Sequence, residues 1–217
     1  MRAWWWWLDY AYAGYRQVHA AFSRTRTSDL AGGGERPVVI IPGIYETWQF
    51  LRPVVDALHQ AGHPVRVVTL LQNNRMPVDR AARLVAGYLE REDLNDVAIV
   101  AHSKGGLIGK LLMMQPDARD RVHSMVAICT PFSGSRYARF MLLPSLRAFS
   151  PTHAMTTFLA AEIETNARIT SIYGIFDPHI PEGSELAGAT NVRIPVGGHF
   201  RILGDHRCID AVLAAVG

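Results

Sequence analysis

Short, continuous runs of apolar residues recur along the chain, and between them apolar residues are spaced three or four positions apart. A continuous apolar run is typical of a parallel strand covered on both faces, and the wider spacing is typical of an amphipathic helix. The strand-like runs are residues 38–41, 65–70, 97–102, 122–129, 169–174 and 191–194. This alternation predicts the α/β class, with a mostly parallel, doubly wound sheet of about six strands and helices on both faces.

The helical segments have recognisable boundaries. A helix is predicted from about Thr47 to Ala61, where Gly62 is a suitable stop, and Pro77 opens another helix before the third strand. A further helix ends the chain and carries Val212. In such a sheet the carboxyl ends of the strands meet along one edge, where ligands bind.

The N-terminal segment has its own pattern. Residues 3–24 predict an amphipathic helix, with Leu8, Tyr12 and Tyr15 on one apolar stripe and Arg16 away from it. Residues 25–36 contain three consecutive glycines and predict a flexible connector. We therefore divide the chain into an aromatic arm with its linker, residues 1–36, and a main domain, residues 37–217.

Four consecutive tryptophans stand near the start of the arm, and they cannot all face one core. They are Trp4, Trp5, Trp6 and Trp7. Indole favours a setting that is half apolar and half wet. Two interpretations remain open: the arm packs across the body or across another subunit, or it contacts a membrane surface.

Composition narrows the class of protein. A chain of 217 residues with 49% hydrophobic residues can bury one substantial core. The net charge of +3 is small and its basic residues are scattered, so we expect no nucleic-acid partner. Cys129 and Cys208 are predicted to be structural thiols, and no spacing suggests a metal or a cofactor. Without a clear secretion signal or a membrane-spanning segment, we expect a cytoplasmic protein, and peripheral membrane association stays open as one of the two interpretations of the arm.

The run from 97 to 102 ends abruptly at Ser103, and Gly105, Gly106 and a helical pattern follow. A serine at the apex of a strand–turn–helix unit is the setting that a nucleophile requires, because the turn lifts its hydroxyl above the sheet. The usual Gly-x-Ser-x-Gly pattern has Ala101 at its first position here. The alternative is a serine that only caps the helix.

Asp177 and His199 each follow a predicted strand, so they belong to the same edge as Ser103. A serine hydroxyl needs a base within hydrogen-bonding distance, and the base needs an orienting partner. We therefore predict that His199 is the base and Asp177 its partner. His206 is the rival base, and Glu182 and Asp205 are rival acids.

Three other histidines receive no catalytic role. His102 is predicted to be a structural residue packed under the serine turn, and His179 and His19 are read as solvated or satisfied side chains. An oxyanion formed at Ser103 would need N–H donors. The backbone amides of Lys104 and Ile44 are the candidates, the second in the loop after the first strand.

These features together resemble the α/β-hydrolase superfamily, and within it the small bacterial lipases and esterases. The resemblance rests on Pro42-Gly43-Ile44, on the segment around Ser103, on the strand before Asp177 and on Gly198-His199, in the order serine, acid, histidine. It covers about residues 37–217. It implies an α/β-hydrolase fold, a Ser103–His199–Asp177 triad and an oxyanion hole at Ile44 and Lys104.

The chain departs from that family in three respects, the first of which is that residues 1–36 have no recognised counterpart in it. Lys104 stands where an apolar residue is common, and its cation is expected to alter substrate choice near the site. Residues 132–167 are longer than a lidless enzyme needs, so they form either a small cap or a completion of the core. The candidate substrate-binding residues are Tyr45, Phe132, Phe140, Met141 and Phe158.

The leading functional hypothesis is a serine hydrolase that cleaves carboxylic esters with an apolar acyl group through an acyl-enzyme. Two alternatives remain, one with a different reaction and one with no reaction. The first is a thioesterase or acyltransferase with the same machinery. The second is a non-catalytic, membrane-associated binding protein on a hydrolase fold, since a fold alone does not specify a function.

Overall fold

The computed structural model describes residues 2–22 and 26–217, and within them six strands form a single sheet. The strands are β1 (Val38–Ile41), β2 (Val65–Val67), β3 (Val97–His102), β4 (Val122–Ile128), β5 (Ile169–Phe176) and β6 (Thr190–Gly197). Their order is β2-β1-β3-β4-β5-β6, and every neighbouring pair is parallel. The predicted fold class is confirmed.

Eight α-helices surround this sheet in the described part of the chain. They are α1 (Arg2–Phe22), α2 (Arg52–Gln60), α3 (Val78–Arg91), α4 (Lys104–Met114), α5 (Pro116–Arg119), α6 (Pro144–Arg147), α7 (Ala154–Ala161) and α8 (His206–Val216). The predicted helix over 47–61 begins as a 3-10 turn, Trp48–Leu51, before α2. The second strand is shorter than predicted, because residues 69–71 form a 3-10 turn.

Alternate residues of each strand enter two separate cores. On β1, Val39 and Ile41 pack with the buried faces of α3 and α4, while Val38 and Ile40 pack with those of α2 and α8. Successive side chains of a strand point to opposite faces, so a strand covered on both sides must be apolar throughout. The continuous apolar runs in the sequence follow from this two-sided burial.

The direction in which the chain adds strands reverses beside β1. β2 lies on one side of β1, whereas β3 and all later strands lie on the other side. Loops leaving β1 and β3 at their carboxyl ends therefore diverge and leave a crevice between them, which is the position where open α/β sheets bind ligands. Residues 42–46 and Ser103 flank this crevice.

The N-terminal helix packs on the body, and its buried face coincides only in part with the predicted stripe, because Leu8 and Tyr12 are half-buried. Tyr15 is exposed, whereas Arg16 is buried and donates a hydrogen bond to the Gln49 carbonyl oxygen at 2.6 Å. Burial of a charged residue was not apparent from the apolar stripe, because long-range packing overrides local periodicity. The end of the predicted helix and the start of the predicted connector, residues 23–25, lie outside the described residues.

Residues 26–36, predicted as a flexible connector, include a short helical turn and packed positions. Thr27–Leu30 form a 3-10 turn, and Leu30 is only 3% exposed within the core under α2. Gly33 then passes so close to Gly62 that a Cβ there would lie 2.1 Å from its carbonyl oxygen. Glycine marks close backbone approach here rather than freedom of motion.

Residues 132–167 combine short helices with an exposed apolar segment. Leu159 of α7 is buried against α4, whereas Phe140, Met141, Leu142 and Leu143 are exposed. The segment therefore both completes one core and extends over the carboxyl edge of the sheet. Within residues 2–22 and 26–217, no helix is both long enough and apolar enough to cross a bilayer.

Candidate active site

Ser103 occupies a strained backbone turn between β3 and α4. Its φ of 51° and ψ of −120° are unfavourable for a residue with a side chain. The turn depends on the two glycines after it: a Cβ on Gly105 would lie 2.2 Å from the Ile41 carbonyl oxygen, and one on Gly106 would lie 2.0 Å from the Thr130 hydroxyl oxygen. These close approaches explain why small residues follow the serine.

A continuous chain of hydrogen bonds joins the three predicted side chains. Ser103 Oγ lies 2.9 Å from His199 Nε2, and His199 Nδ1 lies 2.7 Å from Asp177 Oδ2. A carboxylate only accepts hydrogen bonds, so Nδ1 carries the proton and Nε2 is free to accept the serine proton. The other Asp177 oxygen accepts from the N–H groups of His179 and Ile180, at 2.7 and 3.0 Å.

The charged groups around His199 favour a basic imidazole. Burial alone would lower the pKa of His199, but the charge and hydrogen bond of Asp177, together with the Glu46 and Asp9 carboxylates, raise that pKa above its ordinary value. Burial likewise would raise the pKa of Asp177, but the charge and hydrogen bond of His199 hold it below its ordinary value. The arrangement can therefore accept a proton from Ser103 and keep it on a stabilised imidazolium.

None of the rival residues contacts the hydrogen-bonded series Ser103–His199–Asp177 in the described part of the structure. His206 is exposed at the start of α8, and Asp205 caps that helix by accepting from the Arg207 N–H at 3.0 Å. The Glu182 carboxylate accepts hydrogen bonds from the backbone N–H and from the guanidinium group of Arg136. These roles are structural.

His179 lies closer to the centre than the sequence suggested. Its ring centroid is 5.0 Å from that of His199, and its buried Nε2 has no hydrogen-bond partner among the described residues. Burial, with a smaller contribution from His199, lowers the pKa of His179 to about 4. It is therefore a neutral ring at neutral pH, and it lines the cavity beside Ser103.

The loop after β1 is fixed by Glu46, a residue that no sequence pattern singled out. Both Glu46 oxygens lie 2.9 Å from His102 Nδ1, and one of them accepts from the Gly43 N–H at 2.8 Å. His102 Nε2 faces the His199 carbonyl oxygen at 3.0 Å. The pair therefore connects the loop containing Ile44 with the loop containing His199, beneath Ser103. His102 is 0% exposed, packed where a structural role was predicted.

The start of α4 and the loop after β1 each contribute one candidate oxyanion donor. In the described residues, no hydrogen bond is donated by the backbone N–H of Ile44 or of Lys104. The Lys104 amide is the first of α4, where helices leave donors without partners and favour negative charge. Ile44 lines the cavity.

The Lys104 side chain does not face the cavity, so the expectation that its cation influences substrate choice is not supported by its position. Its buried ammonium donates to the carbonyl oxygens of Asn74 (2.7 Å) and Met76. Asn74 in turn donates to the Pro42 carbonyl oxygen, and the Tyr45 N–H donates to the Asn73 carbonyl oxygen. Burial lowers the pKa of Lys104 to about 8. The lysine thus fixes the loop after β1 indirectly, through residues 74–76 and away from the cavity.

A cavity of about 800 Å³ opens above Ser103 and has three walls. The loop after β1 contributes Ile44 and Tyr45, and residues 135–149 contribute mainly aromatic and aliphatic side chains. The third wall is α1, which the sequence did not connect with the site; its contributions are Trp6, Tyr10, Ala13 and Gln17. A volume between roughly 300 and 1,000 Å³ is usual for pockets that hold small organic ligands.

The five candidate substrate-binding residues separate into two groups. Tyr45, Phe140 and Met141 line the cavity. Phe132 does not, because its ring is buried in the core, 6.0 Å from Lys110 Nζ. Phe158 does not either, because it is 55% exposed on the outer side of α7. Apolar character alone could not separate cavity wall from core or surface.

One group of side chains has its donor atoms close enough together to be considered as a metal site. Cys129, Asp177 and His199 place one donor atom each within 4.8 Å of one another. Burial raises the pKa of the Cys129 thiol, however, and a thiol is a poor ligand compared with a thiolate. The other two donors are already paired with each other.

Comparisons with family models and with curated proteins find no match to this chain. Solved structures do match over most of their length. A lipase from Bacillus licheniformis is 14% identical, with a TM-score of 0.68, and the match covers 86% of this chain and 92% of the lipase. A bromoperoxidase from Bacillus anthracis is also 14% identical, with a TM-score of 0.62 and coverage of 85% and 92%.

An enol-lactonase from Burkholderia xenovorans is 14% identical, with a TM-score of 0.58 and coverage of 84% of this chain and 92% of the lactonase. At this level of identity the similarity shows the fold. The three proteins bear the names of three different activities, so the reaction must be argued from the residues around Ser103.

Proposed function

This chain has the α/β-hydrolase fold, and we propose that it is a serine hydrolase that cleaves carboxylic esters with an apolar acyl group. The observation that carries the proposal is the hydrogen-bonded series Ser103–His199–Asp177 at the floor of an apolar cavity. Neither the fold nor the cavity alone would select this reaction.

The reaction would begin with attack of Ser103 Oγ on the ester carbonyl carbon while His199 Nε2 takes the hydroxyl proton. Collapse of the tetrahedral intermediate breaks the bond to the alcohol oxygen, and His199 returns the proton to that leaving group. Water then attacks the acyl-enzyme by the same steps and releases the carboxylic acid. Asp177 holds the imidazole in the required tautomer and stabilises the imidazolium.

The negative charge on the carbonyl oxygen needs donors that are already in place. The N–H groups of Ile44 and Lys104 are the candidates, because Ile44 lines the cavity with Ser103, Lys104 follows Ser103, and neither N–H donates to another described residue. Losing one such donor typically costs about 3–4 kcal/mol of transition-state stabilisation. The Glu46, Lys104 and Asn74 side chains support this function by fixing the loop that contains Ile44.

The cavity supports an apolar acyl group. Its walls include Phe50, Phe140, Met141, Leu146 and Phe149, with few polar atoms away from the floor. A substrate acyl chain would bury apolar surface there at roughly 25 cal/mol per Å². Tyr45 links the walls, because its hydroxyl lies 3.1 Å from Ser145 Oγ.

The direct test is labelling with a fluorescent fluorophosphonate, together with hydrolysis of p-nitrophenyl esters of increasing chain length. We expect wild type to be labelled and Ser103→Ala to lose both labelling and at least about 10³-fold in kcat. Ser28→Ala is the matched control, since Ser28 is exposed and remote from the cavity. Full activity in Ser103→Ala would refute the proposal.

Thioesterase and acyltransferase activities would use the same residues with another leaving group or acceptor. Matched oxyesters and thioesters with one acyl group compare the first two activities by kcat/KM. Adding an alcohol to the assay and measuring ester formation tests the third. We expect the oxyester to be the better substrate in water.

A further inference from the structure

Asp9 is a fully buried acid on α1, 0% exposed, although it stands in a stretch of aromatic residues. Its carboxylate accepts three backbone hydrogen bonds from the segment after β6: from His199 at 3.0 Å, from Phe200 at 2.8 Å and from Arg201 at 2.8 Å. A buried carboxylate is costly unless its oxygens are hydrogen-bonded. Here the N-terminal helix supplies the acceptor and the histidine loop supplies the donors.

The histidine loop is shaped to receive this helix. A Cβ on Gly197 would lie 1.4 Å from the Trp5 ring, and one on Gly198 would lie 2.5 Å from Asp9 Oδ1. The Arg201 guanidinium lies 5.4 Å from the Trp5 ring centroid, in cation–π contact. Glycines at 197 and 198 are thus required by α1, and the two segments match each other over several residues.

The contact bears directly on His199, because the N–H of His199 is one of the three donors. The carbonyl oxygen of His199 faces His102 Nε2, and the N–H of Gly198 donates to the Phe176 carbonyl oxygen at 2.8 Å. The backbone on both sides of the imidazole is therefore held from three directions, by β3, by β5 and by α1. Of these, only α1 lies outside the sheet.

We infer that Asp9 is a positioning residue for His199, and that α1 is consequently part of the catalytic apparatus rather than a separable arm. This inference rests on the proposed function for the role of His199 in turnover. Asp9 touches no reacting atom; it sets the place and angle of the imidazole through the backbone. Small displacements of a catalytic base are expensive, since about 1 Å can cost roughly 10²-fold in rate.

The central variant is Asp9→Asn, which keeps the size of the side chain. Oδ1 of Asp9 accepts from Phe200 and Arg201, and Oδ2 accepts from His199. An amide has one oxygen only, so its NH₂ group must face at least one of these N–H groups. We expect kcat for a p-nitrophenyl ester to fall roughly 10- to 100-fold, with KM within about threefold of wild type.

A second readout separates positioning from simple destabilisation. Ionisable groups from five segments lie around His199: Asp177 and His179 after β5, Glu46 after β1, His102 on β3, Cys129 after β4 and, at its backbone N–H, Asp9 on α1. Burial lowers the pKa of His199, whereas the carboxylates of Asp177, Glu46 and Asp9 raise it. Removing the Asp9 charge should therefore lower this pKa and move the acidic limb of kcat/KM to lower pH.

The pKa of His199 can also be followed without turnover, by NMR titration of ¹³C-labelled histidine, with the signal assigned by its absence in His199→Ala. The matched control is Asp205→Asn, which alters a carboxylate that caps α8 in the same region but does not contact His199. We expect it to leave kcat and the His199 titration unchanged.

A fall in kcat together with a lower His199 pKa in Asp9→Asn supports the inference. Wild-type kcat, an unmoved titration, or an equal loss in Asp205→Asn overturns it. If Asp9→Asn does not fold, Asp9→Glu decides, because it keeps the charge but displaces both oxygens: we expect kcat at least about fivefold lower, and wild-type kcat overturns the inference. Full activity in Ser103→Ala would instead refute the proposed function, and the NMR result would still stand.

Discussion

At the scale of single residues, the site depends on how neighbours adjust the acidity of one histidine. His199 is buried, which favours its neutral form, and it is paired with Asp177, which favours its charged form. The balance raises the pKa of His199, so a base of suitable strength is available near neutral pH. The same logic gives His179, which lacks a paired carboxylate, a pKa of about 4.

This balance predicts a pH dependence. Since the pKa of His199 is raised, kcat/KM should fall with decreasing pH at a higher pH than an ordinary imidazole would give, because protonated His199 cannot accept the Ser103 proton. Asp177→Asn should move this acidic limb to lower pH and reduce kcat roughly 10³- to 10⁴-fold. A pH series of kcat/KM for both proteins measures the two effects.

Glu182→Gln provides the matched control for that series. Glu182 was a rival acid in the sequence, but in the fold it binds Arg136 and does not contact His199. We expect its limb and its kcat to equal those of wild type. A limb that stays in place in Asp177→Asn would contradict the assigned pairing.

At the scale of elements, the site is formed by loops that are held in place by hydrogen bonds from other segments. The loop after β1 is held by Glu46 from within and by Asn74 and Lys104 from behind. The helix α4 contributes twice, since its first residue supplies both a free amide and the ammonium that fixes residues 74–76. The geometry around Ser103 thus depends on segments distant in sequence.

Lys104→Met tests this bracing, with an apolar side chain of similar length. Without the ammonium, the carbonyl oxygens of Asn74 and Met76 lose a buried donor, which typically costs about 1–3 kcal/mol. We expect a fall of that size in the free energy of unfolding and roughly tenfold lower kcat/KM, because the loop after β1 loosens. Urea denaturation and ester kinetics measure these two quantities.

Lys110→Met is the comparison for that variant. Lys110 is also buried, and it donates to the Glu162 carbonyl oxygen, but it lies outside the cavity. We expect it to lower stability without lowering kcat/KM. Wild-type kcat/KM in Lys104→Met would show that the loop holds its position without the lysine.

At the scale of the whole molecule, α1 has an unusual outer surface. From Trp4 to Val18 its only charged residues, Asp9 and Arg16, are buried, while Trp4 and Trp7 are 65% and 76% exposed. The exposed apolar residues 140–143 belong to a segment that, like α1, forms a wall of the cavity. We propose that this surface contacts a membrane, because indole side chains favour the lipid–water interface.

The variant Trp4→Ser/Trp7→Ser tests that contact, because neither residue lines the cavity. We expect at least about fivefold weaker co-sedimentation with phosphatidylcholine vesicles and unchanged kcat/KM on a soluble short-chain ester. Leu70→Ser, which removes an exposed apolar side chain outside α1, is the control and should bind as wild type does. Unchanged co-sedimentation of the double variant would contradict the proposal.

The sequence by itself determined the features that depend on local order. Apolar periodicity predicted the class of fold, because a strand covered on both faces must be apolar throughout. The order of strands and helices also placed Ser103, Asp177 and His199 just after predicted strands, and the regular connection of parallel strands put them on one edge, where the structure brings them within hydrogen-bonding distance.

Only the tertiary structure decided which side chains meet across long separations. Asp9 and His199 are 190 positions apart, and nothing in the local pattern around either residue indicates that α1 seats on the histidine loop. The direction of Lys104, the link from Glu46 to His102 and the burial of Phe132 were likewise hidden. For the strands, periodicity encodes that both faces are covered; for α1, even the covered face follows from the packing of all elements together.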